Sequence, residues 1–83
     1  MSREQVFEAL QAVFDDVFQE QVVASAELSA SDVEEWDSIV HINVVIAVEQ
    51  KLGIRFRVGE VEATRNVGDF ADLIQRRLAE KGR

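Results

Sequence analysis

The fold of this chain is decided by the stretch Trp36-Asp37-Ser38-Ile39-Val40-His41-Ile42-Asn43-Val44-Val45-Ile46-Ala47-Val48-Glu49-Gln50-Lys51-Leu52-Gly53-Ile54. It predicts one helix that begins just after Asp37 and Ser38, where a side chain can cap the first turn, and ends at Gly53, which supplies a left-handed stop. Its apolar residues recur at helical spacing in two adjacent stripes, one of Ile39, Ile42, Val45 and Ile46 and the other of Val44, Val48 and Leu52. A helix that is apolar around most of its circumference is expected at the centre of a domain.

Ser38 lies at the N-terminal end of this predicted helix. A serine in that position is most often only a cap, and position alone favours that interpretation. The first turn of a helix also offers free backbone N–H groups and the positive end of the helix dipole, which together stabilise a phosphate group. Two roles therefore stay open for Ser38: a cap, and the attachment point of a phosphate-bearing group.

Length and composition predict one small helical domain spanning residues 1–83. The chain has 83 residues, is 47% hydrophobic and contains no proline, which places it near the lower end of what folds without disulfides or metals. Its long helical periods favour an all-α bundle over a small barrel. A deep enzyme cleft would be hard to build at this size.

The charge distribution restricts the partners. The net charge of −7 argues against nucleic acid, whose phosphates would repel the protein. Residues 1–50 hold eleven acids and one base, whereas residues 51–83 hold five acids and eight bases. The acidic half contains Ser38, and its acids Asp32, Glu34, Glu35 and Asp37 form a run without a base just before the predicted helix.

The remaining chemistry-bearing residue types are few. The chain has no cysteine, so it has neither a disulfide nor a thiol of its own. One histidine and no cysteine leave only carboxylates as metal ligands, so no metal site is expected. The beginning of the chain lacks the apolar core of a signal peptide, and no apolar run approaches membrane-spanning length. We therefore expect a cytoplasmic protein without a membrane span.

Two further helices flank the central stretch. Ser2 and Gln5 form a capping-box pattern before a helix over residues 3–18, whose apolar face comprises Val6, Phe7, Leu10, Val13, Phe14 and Val17. Asn66, with Asp69 three residues later, predicts the N-cap of a last helix, whose apolar face comprises Val67, Phe70, Leu73, Ile74 and Leu78. We interpret Arg76 and Arg77 as the solvated end of that helix.

The connections carry weaker patterns. Residues 19–37 show no sustained period, and the apolar residues expected to pin this loop to the core are Val22, Val23, Leu28, Val33 and Trp36. Residues 54–58 alternate like a strand, but a lone strand has no pairing partner, so we expect an extended connector with Ile54 and Phe56 packed inward. Residues 60–63 are expected to form one short helical turn.

Asp37-Ser38-Ile39, opening an apolar helix that closes with Glu49-x-x-Leu52-Gly53-Ile54, resembles the phosphopantetheine attachment motif of acyl carrier proteins. The common form in that family is Asp-Ser-Leu, so an isoleucine replaces the leucine here. The order of serine, apolar helix, Gly-Ile and final helix follows the family along nearly the whole chain. The resemblance implies a small four-helix bundle of three main helices and one short helix. It also implies a carrier that is not itself an enzyme.

The same resemblance implies a cofactor and a set of partners. A phosphopantetheinyl transferase would attach 4′-phosphopantetheine covalently to Ser38, with Asp37 orienting the transferase or its metal-bound coenzyme. The arm would hold acyl groups as thioesters for fatty-acid, lipid or specialised-metabolite biosynthesis, delivered and used by acyl-loading and acyl-transfer or synthase enzymes. Ile39 and Ile42 would form an apolar lip for these partners, which would also meet the acids Asp32, Glu34 and Glu35. The carrier is expected to be a monomer.

The sequence departs from the housekeeping members of the family after Ser38. Val40, His41 and Asn43 occupy positions that tend to be acidic there, which leaves Glu49 as the only acid later in the helix. The departure predicts partners other than the usual fatty-acid enzymes. The Trp-Asp-Ser and Ser-x-x-His patterns, together with the absence of linkers, are more similar to stand-alone carriers that serve specialised biosynthetic enzymes.

Two alternative functions remain open from the residues alone. The chain could be an unmodified helical interaction module that uses its acidic loop to bind a basic partner. A hydrolase or transferase built on Asp37, Ser38 and His41 is disfavoured, because Asp37 is adjacent to the serine and no glycine-rich elbow surrounds it. His41 is then a surface residue, or it hydrogen-bonds the phosphodiester or a partner. The apolar residues of the central helix either line an acyl groove or pack in the core, which is favoured for Val44 and Val48.

Overall fold

The computed structural model describes residues 1–57 and 59–81, and Val58 of the predicted connector lies outside this range. The regular elements are three α-helices and one short 3₁₀ helix: α1 (Arg3–Val17), the 3₁₀ helix (Ala30–Asp32), α2 (Ser38–Leu52) and α3 (Val67–Lys81). Within the described residues there is no strand, and the predicted all-α class is confirmed. None of the helices in these ranges has the length and apolar character needed to cross a bilayer.

Local capping interactions set the helix boundaries where the sequence predicts them. The Ser2 hydroxyl accepts from the Gln5 N–H at 3.1 Å, and the Gln5 side chain accepts from the Ser2 N–H at 2.8 Å, so the capping box of α1 is confirmed. The Asn66 side chain accepts from the Asp69 N–H at 2.8 Å and begins α3. α2 ends at Gly53, whose φ of 64° is the left-handed conformation that glycine adopts most easily.

The central helix of the bundle is α1, because it packs against both α2 and α3. The expectation that α2 occupies the centre is wrong. Of its residues only Val44 and Val48 are buried, whereas Ile39, Ile42 and Ile46 are 72%, 56% and 44% exposed. The neighbouring helices cover one side of α2, so the isoleucines of its first apolar stripe face outward. The buried core residues are Val6, Leu10, Val13, Phe14, Phe18, Val22, Val44, Val48, Ile54, Val61, Val67, Phe70, Ala71, Leu73 and Ile74.

The loop from α1 to α2 is pinned by aromatic packing. The Trp36 ring lies edge-on to both Phe14 and Phe18, with ring centroids 5.4 Å apart in each pair. Val22 is buried as predicted, but Val23 is 64% exposed, so its prediction as a pin is wrong. Adjacent residues of an extended segment point in opposite directions, and only one of the two valines can therefore face the core.

The segment between α2 and α3 contains one short helical turn, as predicted for residues 60–63. The Ala63 N–H donates to the Gly59 carbonyl at 3.2 Å, which closes one turn, but the Thr64 N–H then bonds the Val61 carbonyl at 3.0 Å and the turn tightens. This turn does not continue as a helix, and the short helix among the described residues is the 3₁₀ helix that precedes α2.

The connector that precedes these turns packs as predicted. Ile54 is buried, and the Phe56 ring lies against Phe70 of α3 with centroids 5.5 Å apart. A cation from α3 also closes the end of α2, because the Lys81 Nζ donates to the Leu52 carbonyl at 3.2 Å. The two helices thus meet at their C-terminal ends through a polar contact.

Arg77 is not the solvated helix end that the sequence predicts. Its side chain is 11% exposed and pairs with Glu60 at 2.6 Å, and it also pairs with Glu80. Glu60 accepts in addition from the Arg57 N–H at 2.6 Å. The Glu60 carboxylate therefore ties the segment after α2 to the surface of α3, while Arg76 is exposed as expected.

We expect the Glu60 contacts to make the free energy of unfolding decrease as the pH falls. The Arg57 N–H, together with the charge of Arg77, holds the pKa of Glu60 below its ordinary value and outweighs the opposite effect of burial. A carboxyl whose pKa is lower in the folded state contributes stability above the unfolded pKa, and this stability is lost as the pH falls through the folded value.

Urea unfolding followed by circular dichroism between pH 7 and pH 3 measures this contribution. Glu60→Gln should reduce the stability at neutral pH and weaken its loss on acidification. Glu62→Gln, a change at an exposed neighbouring carboxyl, is the matched control. The same pH dependence in Glu60→Gln and wild type would contradict the assignment.

Candidate functional site

Ser38 is the first residue of α2 and is exposed, and the residue before it caps the helix. The Asp37 carboxylate accepts from the Val40 N–H at 2.9 Å, and the Asp37 carbonyl accepts from the His41 N–H at 2.9 Å. The interpretation of Ser38 as the N-cap is therefore wrong. Because Asp37 performs that role, the Ser38 hydroxyl is available for chemistry.

The first turn of α2 suits an anion attached to Ser38. The backbone N–H groups of Ser38 and Ile39 have no intrahelical acceptor at this position, and the helix dipole places its positive end here. No residue of this first turn is acidic. A phosphate at Ser38 would therefore meet free donors and a favourable dipole. The donor set fits a phosphodiester.

Trp36, which precedes the Asp37–Ser38 pair, forms a hydrogen bond with His41, which lies three residues after Ser38. The Trp36 Nε1–H donates to His41 Nδ1 at 3.2 Å, and the two rings are stacked with centroids 6.2 Å apart. Trp36 is at the same time packed against the aromatic rings of α1 and its C-terminal end. This contact couples the first turn of α2 to the core.

Three open grooves meet beside Ser38. The first contains Ser38 itself and is lined by Ala30, Trp36, Asp37, Ser38, His41, Ile42 and Glu62. A second, of about 260 Å³, leads to Phe70 at the start of α3. A third, of about 270 Å³, follows α2 to Phe56. His41 and Glu62 line all three grooves and so mark the point where they meet.

Two of the three acids predicted to meet partners stabilise the loop that carries them. The Asp32 carboxylate accepts from both the N–H and the hydroxyl of Ser29, each at 3.1 Å. The Glu35 carboxylate accepts from the Gln19 N–H at 2.8 Å and links the two ends of the loop. Glu34 is exposed. Intramolecular hydrogen bonds thus already occupy Asp32 and Glu35.

The exposed face of α2 is apolar. Ile39, Ile42 and Ile46, which we call the isoleucine ridge, lie along it at helical spacing. The only acid in the helix, Glu49, accepts from the Phe56 N–H at 2.9 Å and holds the connector against α2. The predicted apolar lip of Ile39 and Ile42 is therefore exposed, as a partner contact requires, and it extends by one further residue.

Sequence reasoning missed the position of two residues at this site. Trp36 is predicted only as a pin of the loop, although its place next to Asp37 and Ser38 could have indicated a contact with the site. Glu62 carries no local signal, because it reaches the grooves beside Ser38 through the long-range packing of the segment between α2 and α3.

Comparison with solved structures identifies the family. The chain is similar to the solution NMR structure of a holo acyl carrier protein from Geobacter metallireducens, with a TM-score of 0.76 and 35% sequence identity. The similarity covers 95% of this chain and 87% of that chain. No family model and no curated protein matches the sequence. At this identity and coverage, the chain belongs to the acyl carrier protein family.

We expect the two residues at the start of α2 to differ sharply in their contribution to stability. Asp37→Ala removes the cap and should lower the free energy of unfolding by about 1 kcal/mol. Ser38→Ala should change it by less than about 0.5 kcal/mol, because the serine does not provide the cap. Urea unfolding of the unmodified proteins measures both values, and an equal loss in the two variants would contradict the assignment of the cap.

Proposed function

We propose that this protein is an acyl carrier whose attachment residue is Ser38. A phosphopantetheinyl transferase attaches 4′-phosphopantetheine to the Ser38 hydroxyl, and acyl groups are then held on the arm as thioesters. The observation that carries this proposal is the exposed hydroxyl at the first position of α2, next to an aspartate that already caps the helix. The similarity to a protein described as a holo acyl carrier protein supports it.

The residue types of the chain indicate which parts of the chemistry it leaves to the arm and to partner enzymes. When bound, the arm supplies the thiol that this chain, which has no cysteine, lacks. The chain's own residues present the serine and stabilise the negative charge at the first turn of α2. Transferases and synthases of the pathway carry out the acyl chemistry.

The geometry of the site favours a carrier over a hydrolase. The Asp37 carboxylate bonds the Val40 N–H, and His41 Nδ1 accepts from Trp36. A nucleophilic serine requires a base bonded to its hydroxyl and a further group that orients the base. Asp37 bonds the backbone and His41 Nδ1 bonds Trp36, so the two side chains do not form such a relay behind Ser38.

Partner enzymes are proposed to recognise the isoleucine ridge more than a set of acids. Asp32 and Glu35 already bond within the loop, which leaves Glu34 as the exposed acid of the three predicted for docking. Arg55 and Arg57 are exposed beside the far end of the ridge and line grooves next to Ile46. A partner that fits this surface offers an apolar patch and an acid opposite these arginines. The exposed ridge and the two arginines therefore favour partners from a specialised pathway.

Intact mass spectrometry after incubation with coenzyme A and a broad-specificity phosphopantetheinyl transferase tests the attachment. We expect wild type to gain the mass of one phosphopantetheine group, Ser38→Ala to gain none, and Ser31→Ala, a change at another exposed serine, to behave as wild type. No gain with several transferases that modify a control carrier would contradict the proposal and favour the unmodified interaction module.

Steady-state kinetics of the same transferase test the isoleucine ridge. Ile42→Ala should raise the KM for the unmodified protein several-fold, as expected for losing about 1 kcal/mol of apolar contact. Val23→Ala truncates an apolar side chain of similar exposure outside α2, 64% against 56% for Ile42, and is the matched control. The same KM for Ile42→Ala and wild type would argue against the ridge as the docking surface of this enzyme.

A further inference from the structure

The only tryptophan and the only histidine of the chain are bonded to each other beside Ser38. The Trp36 Nε1–H donates to His41 Nδ1 at 3.2 Å, and the indole is held in place by edge-on contacts with Phe14 and Phe18. The indole is a donor only, so this bond requires a free electron pair on His41 Nδ1.

This bond determines where His41 carries its proton. A neutral imidazole has one nitrogen that accepts and one that donates. Because Nδ1 accepts from Trp36, the proton of the neutral ring lies on Nε2. The half-buried His41 lines the groove that contains Ser38, so its imidazole can offer this Nε2–H to a group in the groove.

The other side chains that line this groove offer an anion no free hydrogen-bond donor once Ser38 is modified. Asp37 and Glu62 bring carboxylates, Ala30 and Ile42 are apolar, and the Trp36 N–H is already engaged. Modification would convert the Ser38 hydroxyl into an ester oxygen without a proton. Among the side chains that line this groove, His41 is then the donor left for a phosphate oxygen.

The position of His41 on α2 fits that task. Residues three apart on a helix are neighbours on its surface, with Cβ atoms about 5–6 Å apart. Ser38 and His41 have this spacing, and His41 also stands where the three grooves meet. A group attached to Ser38 that enters either of the other two grooves passes His41, which lines both.

We propose that His41 is a positioning residue for the group attached to Ser38. Its Nε2–H donates to a phosphodiester oxygen, and Trp36 holds the ring in the tautomer that makes this bond possible. The bond directs the first part of the arm toward the grooves instead of into solvent. This inference rests on the proposed function, and it adds a role for the Trp36–His41 pair.

Nuclear magnetic resonance of the unmodified and the loaded protein tests the proposal. In protein with ¹⁵N-labelled histidine, the unmodified form should show the Nε2–H tautomer at neutral pH. After loading, confirmed by intact mass, the Nε2–H signal should shift. The ³¹P signal of the loaded protein should differ from that of the same protein unfolded in urea.

Three variants separate positioning from a structural role. His41→Phe keeps a ring but removes the donor, and it should move the ³¹P signal toward its position in the unfolded protein. His41→Gln restores an N–H donor and should recover at least half of the folded shift. Asn43→Ala, an exposed change on the same helix, should leave the shift unchanged. Amide spectra of each variant confirm that it is folded.

Two results would overturn the proposal: an Nδ1–H tautomer in the unmodified protein, or the same ³¹P signal in loaded wild type and loaded, folded His41→Phe. A role of His41 in packing alone would shift the Trp36 indole signal in His41→Phe and leave the ³¹P signal unchanged. Failure of the transferase to modify Ser38 would refute the proposed function instead. The ¹⁵N spectrum of the unmodified protein would still report the tautomer of His41.

Discussion

The hydrogen bond from the Val40 N–H to the Asp37 carboxylate is the constraint on which the site depends. It begins α2 at Ser38, and it relieves the serine of the role that serines most often have at a helix start. Moving the cap by one residue would turn the hydroxyl inward to the backbone. Asp37 thus has a structural role at the start of α2, next to the exposed Ser38.

The core then decides which parts of α2 face outward. α1 packs against both other helices, and Val44 and Val48 are the residues that α2 buries. The isoleucine ridge is left exposed on the same helix that presents Ser38. Exposed apolar side chains in one row are a usual mark of a binding surface. One helix therefore presents the exposed Ser38, an N-cap at Asp37 and an apolar surface.

The sequence predicted those features that depend on neighbours in the chain. The capping box at Ser2, the cap at Asn66 and the stop at Gly53 are local, and all three are confirmed. The central position of α2 was wrong, because an apolar pattern does not reveal how much partner surface the rest of the chain supplies. The burial of Arg77 was missed because its partner Glu60 lies far away in sequence. At the site, the motif predicted Ser38 as the attachment residue, and its role stays a prediction. The contact between Trp36 and His41 could not be predicted, because it depends on the packing of the loop.

Trp36 gives the protein an intrinsic fluorescent reporter. It is the only tryptophan in the protein, and it lines the groove beside Ser38 while its ring contacts a histidine and two phenylalanines. Its near-ultraviolet emission therefore comes from one location, without background from other indoles. The molecule contains its own fluorophore at the place where an attached group would begin, so events there can be followed without an added label.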